Sequence, residues 1–182
     1  MKKIILFIAL FATYITAHTQ TKFLTKTGTI QFEASVPSFE EVKAKNNGVT
    51  AILNTNNGEF AALALVKGFR FKNALMEEHF NENYAESEIY PKATFKGKIT
   101  KFSMAKIKTP HTLTISGELT FHGKTKQLKD IAVLVSKKGD NILLSGTFKV
   151  TASDFNIDIP KIVRNKVSET VKVDFNFNLS AK

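Results

Sequence analysis

The densest run of chemically able side chains is Met76-Glu77-Glu78-His79-Phe80-Asn81-Glu82-Asn83-Tyr84, followed by Glu86, Tyr90 and Pro91. A histidine flanked by carboxylates can act as a general base or a metal ligand, so His79 with Glu78 or Glu82 is the sharpest catalytic reading. The competing reading is an amphipathic helix end whose histidine hydrogen-bonds locally. A zinc site needs three or four ligands converging in space. His111 and His122 fall at the ends of separate strand-like runs, His18 lies near the N-terminus, and none has a ligand spacing with His79. Cysteine is absent, which excludes disulfides, thiol nucleophiles and thiolate metal sites. There is no Gly-x-Ser-x-Gly elbow and no glycine-rich phosphate loop. The expectation is a protein with no catalytic residue, no resident metal and no cofactor.

The elements that must position these residues are mostly strands. Val171, Val173, Phe175, Phe177 and Leu179 alternate with polar residues, as do Leu113, Ile115, Gly117, Leu119 and Phe121. Ile142, Leu144, Gly146, Phe148 and Val150 repeat the pattern, and so do Ala93, Phe95, Gly97 and Ile99, and Ile30, Phe32 and Ala34. Period-two alternation marks strands buried on one face. Asn46-Asn47-Gly48, Asn56-Asn57-Gly58, His122-Gly123 and Lys138-Gly139-Asp140 read as hairpin turns between such runs. About eight closely spaced strands imply a closed barrel or a sandwich. Gly97, Gly117 and Gly146 fall on apolar faces, where glycine either lets a sheet curve or leaves space beside a ligand.

Two segments depart from alternation. Asn73 to Tyr84 reads as a helix, with Asn73 as N-cap and Leu75, Met76, His79 and Phe80 on one face. Pro160 to Val167 reads as a short helical turn. At the N-terminus, Lys2 and Lys3 precede an apolar run from Ile4 to Tyr14 and a small residue at Ala17. That is the layout of an export signal, residues 1–19, too short to span a bilayer comfortably. Residues 20–182 then form one domain without stable membrane insertion. The formal charge is +10, yet the lysines are scattered and Arg70 and Arg164 are the only arginines, which argues against nucleic acid as a partner. Fourteen of the sixteen phenylalanines follow the apolar run. They make either a solid aromatic core or the lining of a pocket.

The run Gly68 to Tyr84, with Glu86-Ser87 and Tyr90-Pro91-Lys92-Ala93-Thr94-Phe95-Lys96-Gly97, resembles the hallmark of the YceI family. Leu119 to Lys126, with its His122-Gly123 turn, and Phe148 to Pro160, with Asp154-Phe155-Asn156-Ile157, are similar to later family segments. Val36 to Asn46 departs from the family pattern. The resemblance implies a lipocalin-like antiparallel β-barrel of about eight strands with one helix closing a side. It implies a periplasmic or secreted, non-catalytic carrier of a long isoprenoid or other amphiphilic lipid. On that reading Phe95, Ile99, Leu113, Ile115, Leu119, Phe121, Phe148, Val173, Phe175 and Phe177 line an elongated channel from the strands. Leu75, Met76 and Phe80 contact it from the helix, while His79, Asn81, Glu82 and Tyr84 fix the helix end. The alternatives are a scaffold with a filled barrel, or a hydrolase or metal enzyme centred on His79.

Overall fold

A computed structural model describes residues 21–37 and 39–182. The expected export signal lies outside the described residues. In chain order the strands are β1 (Lys22–Ser35), β2 (Lys43–Asn54), β3 (Glu59–Leu65), β4 (Arg70–Phe71), β5 (Lys92–Ile99), β6 (His111–Phe121), β7 (Lys124–Lys138), β8 (Asn141–Thr151) and β9 (Val167–Ala181). The sheet runs β1-β9-β8-β7-β6-β5-β3-β2, and β1 also pairs with β2, so eight antiparallel strands close into a barrel. Closure excludes the sandwich and leaves no long free edge. The two-residue β4 adds to the start of β2.

Three strands carry irregularities that alternation alone does not show. In β1 the register with β2 shifts between Thr25 and Ile30, so Phe23 and Ile30 both reach the interior despite their odd and even numbers. In β7 the register with β6 shifts between Ile115 and Gly117, and Leu128 and Ile131 are both buried three residues apart. The third lies in β2, at Asn46-Asn47-Gly48. This triplet is not the hairpin turn its composition suggests. β2 runs straight through it, from Lys43 to Asn54, with a bulge against β1. Asn46 makes the bulge possible. Its side chain, 2% exposed, donates to the Leu65 carbonyl at 2.9 Å and accepts from the Gly48 N–H at 2.8 Å. Asn46→Ala removes the side-chain partner of both part-buried backbone groups. It is expected to cost about 2 kcal/mol, read as a lowered midpoint in urea unfolding with an unchanged slope.

Packing divides the barrel into two ends. At one end Leu53, Ile99, Ile142 and Leu179 are at most 1% exposed, and Ile107, from the loop between β5 and β6, plugs them with no exposed surface. At the other end the same strands turn half-buried: Val171, Val173 and Phe175 on β9, Leu119 and Phe121 on β6, and Phe148 on β8. The one α-helix among the described residues, α1 (Ala74–His79), lies over this second end. Asn73 caps it as expected, its side-chain oxygen accepting from the Leu75 N–H at 2.9 Å and the Met76 N–H at 3.3 Å. The chain then widens into a π-type turn over Phe80–Tyr84, so the helix is shorter than the expected span to Tyr84. Phe80 fastens the segment down. Its ring lies 5.2 Å from Phe32 and 5.3 Å from Phe71, centroid to centroid. Residues 161–166 form successive turns rather than a regular helix, with Val163 N–H bonded to the Pro160 carbonyl.

Candidate functional site

The half-buried end encloses a cavity of about 460 Å³. Its walls come from every barrel strand except β2, and several of the inward residues they contribute are small. Ala34, Ala62, Ala64 and Ala93 face the space, and their short side chains are what keep the barrel from filling at this end. The floor is aromatic. Phe60 stands 5.5 Å from Phe177 and 6.3 Å from Phe95, and Phe175 stacks on Phe177 at 5.8 Å. Two inward glycines are tied to these rings: a Cβ on Gly97 would sit 2.8 Å from the Phe95 ring, and one on Gly146 would sit 2.5 Å from Phe175. Space at these two glycines is therefore taken up in part by phenylalanine side chains of the barrel itself.

Of the residues read from sequence as channel lining, Phe95, Ile115, Leu119, Phe121, Phe148, Val173, Phe175 and Phe177 border the cavity, together with Leu75, Met76 and Phe80 from the helical segment. Ile99 and Leu113 do not. They are 1% and 8% exposed, in the packed end below the aromatic floor, so the cavity is a one-ended cup rather than a channel along the whole strand length. His79 and Tyr84, expected only to fix the helix end, border the cavity mouth. Asn81 does fix it, donating from its side chain to the Glu77 carbonyl at 2.9 Å. Sequence reading missed the second wall of the mouth, formed by Ile157, Ile159, Val163, Lys166 and Val167. Ile157, Ile159, Ile162 and Val163 recur among polar residues there outside any strand, and this was the available signal.

Polar groups are confined to the rim, where Glu40, Asn73, His79, Tyr84, Thr151, Lys166 and Ser168 meet the opening. Asn73 Nδ2 donates to Glu40 at 3.1 Å. Beside Thr151, burial disfavours the charged form of Asp154, but hydrogen bonds from Lys126 and from the Thr151 N–H outweigh it and hold the carboxyl below its ordinary pKa. Thr151 and Asp154 thus form a reciprocal cap that sets the turn Ala152–Phe155 as the base of the second wall.

A second polar cluster stands behind that wall. His122 Nδ1 lies 2.9 Å from the Phe155 carbonyl and Nε2 lies 2.6 Å from the Glu86 carboxylate, with the Tyr90 ring edge-on at 4.7 Å. Both ring nitrogens face oxygen acceptors, so the side chain serves as a brace between the loop after the π-type turn and the 152–155 turn. Glu86 and His122 both adopt positive φ, 43° and 48°, to present their side chains to this contact. Among the described residues no three histidine, aspartate or glutamate side chains gather as a metal site. Nor does His79 have the positioned carboxylate partner that a general base of the His–Asp kind requires: among the described residues it has no ion pair or side-chain hydrogen bond.

The arrangement is thus an apolar cup with a polar rim. The same overall shape occurs in solved structures. A polyisoprenoid-binding domain from Saccharophagus degradans superposes with a TM-score of 0.76 at 17% identity, covering 90% of this chain and all of that one. BcnA from Burkholderia cenocepacia gives 0.69 at 17% identity, over 85% of this chain and 96% of its own. A YceI protein from Campylobacter jejuni gives 0.63 at 17% identity, over 81% and 89%. No curated protein matches the sequence. The family model described as YceI-like domain matches residues 13–179, which takes in the helix and every strand described above but for the last two residues of β9, and the chain belongs to that family.

Proposed function

We propose that this protein is an exported carrier that holds one lipid chain in the cup and does no chemistry on it. The observation that carries this reading is the cavity itself. The barrel's own side chains leave 460 Å³ of apolar-walled space unfilled, which forfeits the packing contacts a filled core would make there. Water that enters the cup finds few polar partners on the walls, so it is readily displaced. An apolar guest supplies those contacts. The polar rim suits an amphiphile whose head stays at the opening. Export rests on the charged and apolar pattern of residues 1–19, and the polyisoprenoid-binding relative supports a lipid-type guest.

The cup also limits the guest. Since a cavity of about 150 Å³ holds a six-carbon ring, 460 Å³ encloses roughly 18 carbons. A single acyl chain or a short isoprenoid fits within it, whereas a much longer isoprenoid leaves its remainder outside the mouth. Native mass spectrometry of the purified protein, followed by lipid extraction, tests the reading. A single-chain amphiphile at one per protein is the expected result. Neither co-purified lipid nor uptake of a fluorescent long-chain fatty acid would sink the proposal.

A further inference from the structure

The most exposed large apolar side chain among the described residues is Ile162, 85% accessible, at the tip of the 161–166 turns. It does not line the cup, yet Ile159, Val163 and Lys166 on either side of it do, so the tip stands directly at the mouth. Across the opening, Leu75 and Phe39 are 57% and 44% exposed while also bordering the cavity. An apolar residue left this far in water has no packing role in the monomer.

Charge distinguishes the two sides. The tip reads Pro160-Lys161-Ile162-Val163-Arg164-Asn165-Lys166, with no acid inside it. Asp158 approaches Arg164 at 3.6 Å, and neither Lys161 nor Lys166 has an ion pair among the described residues. On the facing wall the acids near the rim are largely engaged: Glu41 by Lys72 at 2.8 Å and Lys43 at 3.3 Å, and Glu77 by Arg70 at 2.7 Å. Glu40, bonded by Asn73, and Glu78 and Glu82 are exposed there and have no ion pair among the described residues, which places the cationic pole of the mouth on the tip.

We infer that the 160–166 tip docks the mouth of the cup onto an anionic lipid bilayer, with Ile162 entering the headgroup layer. An apolar side chain surrounded by Lys161, Arg164 and Lys166 matches that surface, because the apolar group gains burial while the cations meet lipid phosphates. The contact is shallow and reversible. No helix among the described residues is long and apolar enough to cross a membrane. Docking brings the opening against the bilayer, so a chain passes between bilayer and cup without crossing bulk water. This extends the carrier reading to the place where the carrier loads, and its geometry stands apart from the guest's identity.

The full mature chain is mixed with vesicles of phosphatidylcholine alone or with added phosphatidylglycerol, and sedimentation reads the bound fraction. Binding to the phosphatidylglycerol vesicles is expected, with loss as salt rises. Lys161→Glu is expected to weaken it at least fivefold and Ile162→Asp at least tenfold. Both residues lie outside the cup, so each variant should still take up a fluorescent fatty acid added as dispersed monomer, which also shows that it folds. Transfer of the same probe from phosphatidylglycerol vesicles should slow in step with binding. Equal sedimentation with both vesicle types, or variants that bind and transfer like the parent, would overturn docking. Failure to take up the dispersed monomer would instead count against the carrier reading, and sedimentation would still decide the docking one.

Discussion

Ala62→Phe is expected to weaken fatty acid binding more than a hundredfold while leaving the barrel folded. Ala62 sits midway along β3, 9% exposed, between Phe60 at the floor and Ala64 nearer the mouth, with Phe95 its neighbour on β5. A phenyl group at this position enters the cup and takes the room of a six-carbon ring, roughly a third of the volume. Displacing about six carbons of guest forfeits on the order of 5 kcal/mol at about 0.8 kcal/mol per methylene. Chain bending and partial exposure at the mouth recover some of that, so the hundredfold figure is a lower bound. The new ring meets apolar walls, so the thermal midpoint of the guest-free protein should stay level or rise. Titration of a fluorescent fatty acid, paired with thermal unfolding by circular dichroism, reads both quantities. Unchanged affinity with an unchanged fold would mean that the guest does not occupy the cup.

Gly117→Ala is expected to be the most damaging single methyl in the barrel. Gly117 on β6 faces Gly97 on β5 directly in the register of that pair. A Cβ on Gly117 would collide with the Lys96 carbonyl oxygen and stand 2.5 Å from the Gly97 Cα. These are backbone atoms held by the ladder, so relief requires moving strands rather than rotating a side chain. A loss of about 3 kcal/mol or more is expected, the upper part of the range for overpacking. Gly139 is the control, since nothing lies within 4 Å of its Cβ site and its φ of +59° is the only obstacle. Gly139→Ala should cost about 1 kcal/mol. Comparing both variants by urea unfolding separates packing from backbone strain. Equal effects would show that the two strands spread freely at this point.

Much of the barrel was legible because β5, β6, β8 and β9 bury one face without interruption through the stretches quoted for them. Val171 to Leu179 needs no information beyond its own order of residues, since period two on a half-buried strand is a local consequence of the pleat. β1, β2 and β7 were harder for a physical reason. A bulge resets which parity faces inward, as between Leu128 and Ile131, and nothing local announces it. Asn46-Asn47-Gly48 has turn composition, yet Asn46 finds its acceptor at Leu65, nineteen residues away. A distant carbonyl decides between turn and bulge there.

The walls of the cavity were legible in kind and not in depth. Phe95, Phe121, Phe148 and Phe175 were assigned inward by parity, and inward is where they lie. Parity carries no information about height along the barrel, so Ile99 and Leu113 looked equivalent to them although they belong to the packed end. His79 borders the rim on the helix face it shares with Leu75 and Met76, whereas Tyr84 lies in the widened turn after His79, a change of winding that the apolar spacing does not encode. The brace of His122 on Glu86 and Phe155 joins three segments far apart in the chain.

By itself the sequence determined the strand content, the inward faces of the regular strands, the Asn73 cap and the family, all of which follow from local periodicity, capping chemistry or motif. Tertiary structure decided that the barrel closes through β1 and β2, that one end packs solid around Ile107, and that alanines at the other end coincide to leave a cup. Each of those depends on which side chains meet across the barrel, and a cavity is a sum over contacts between strands that no single strand contains.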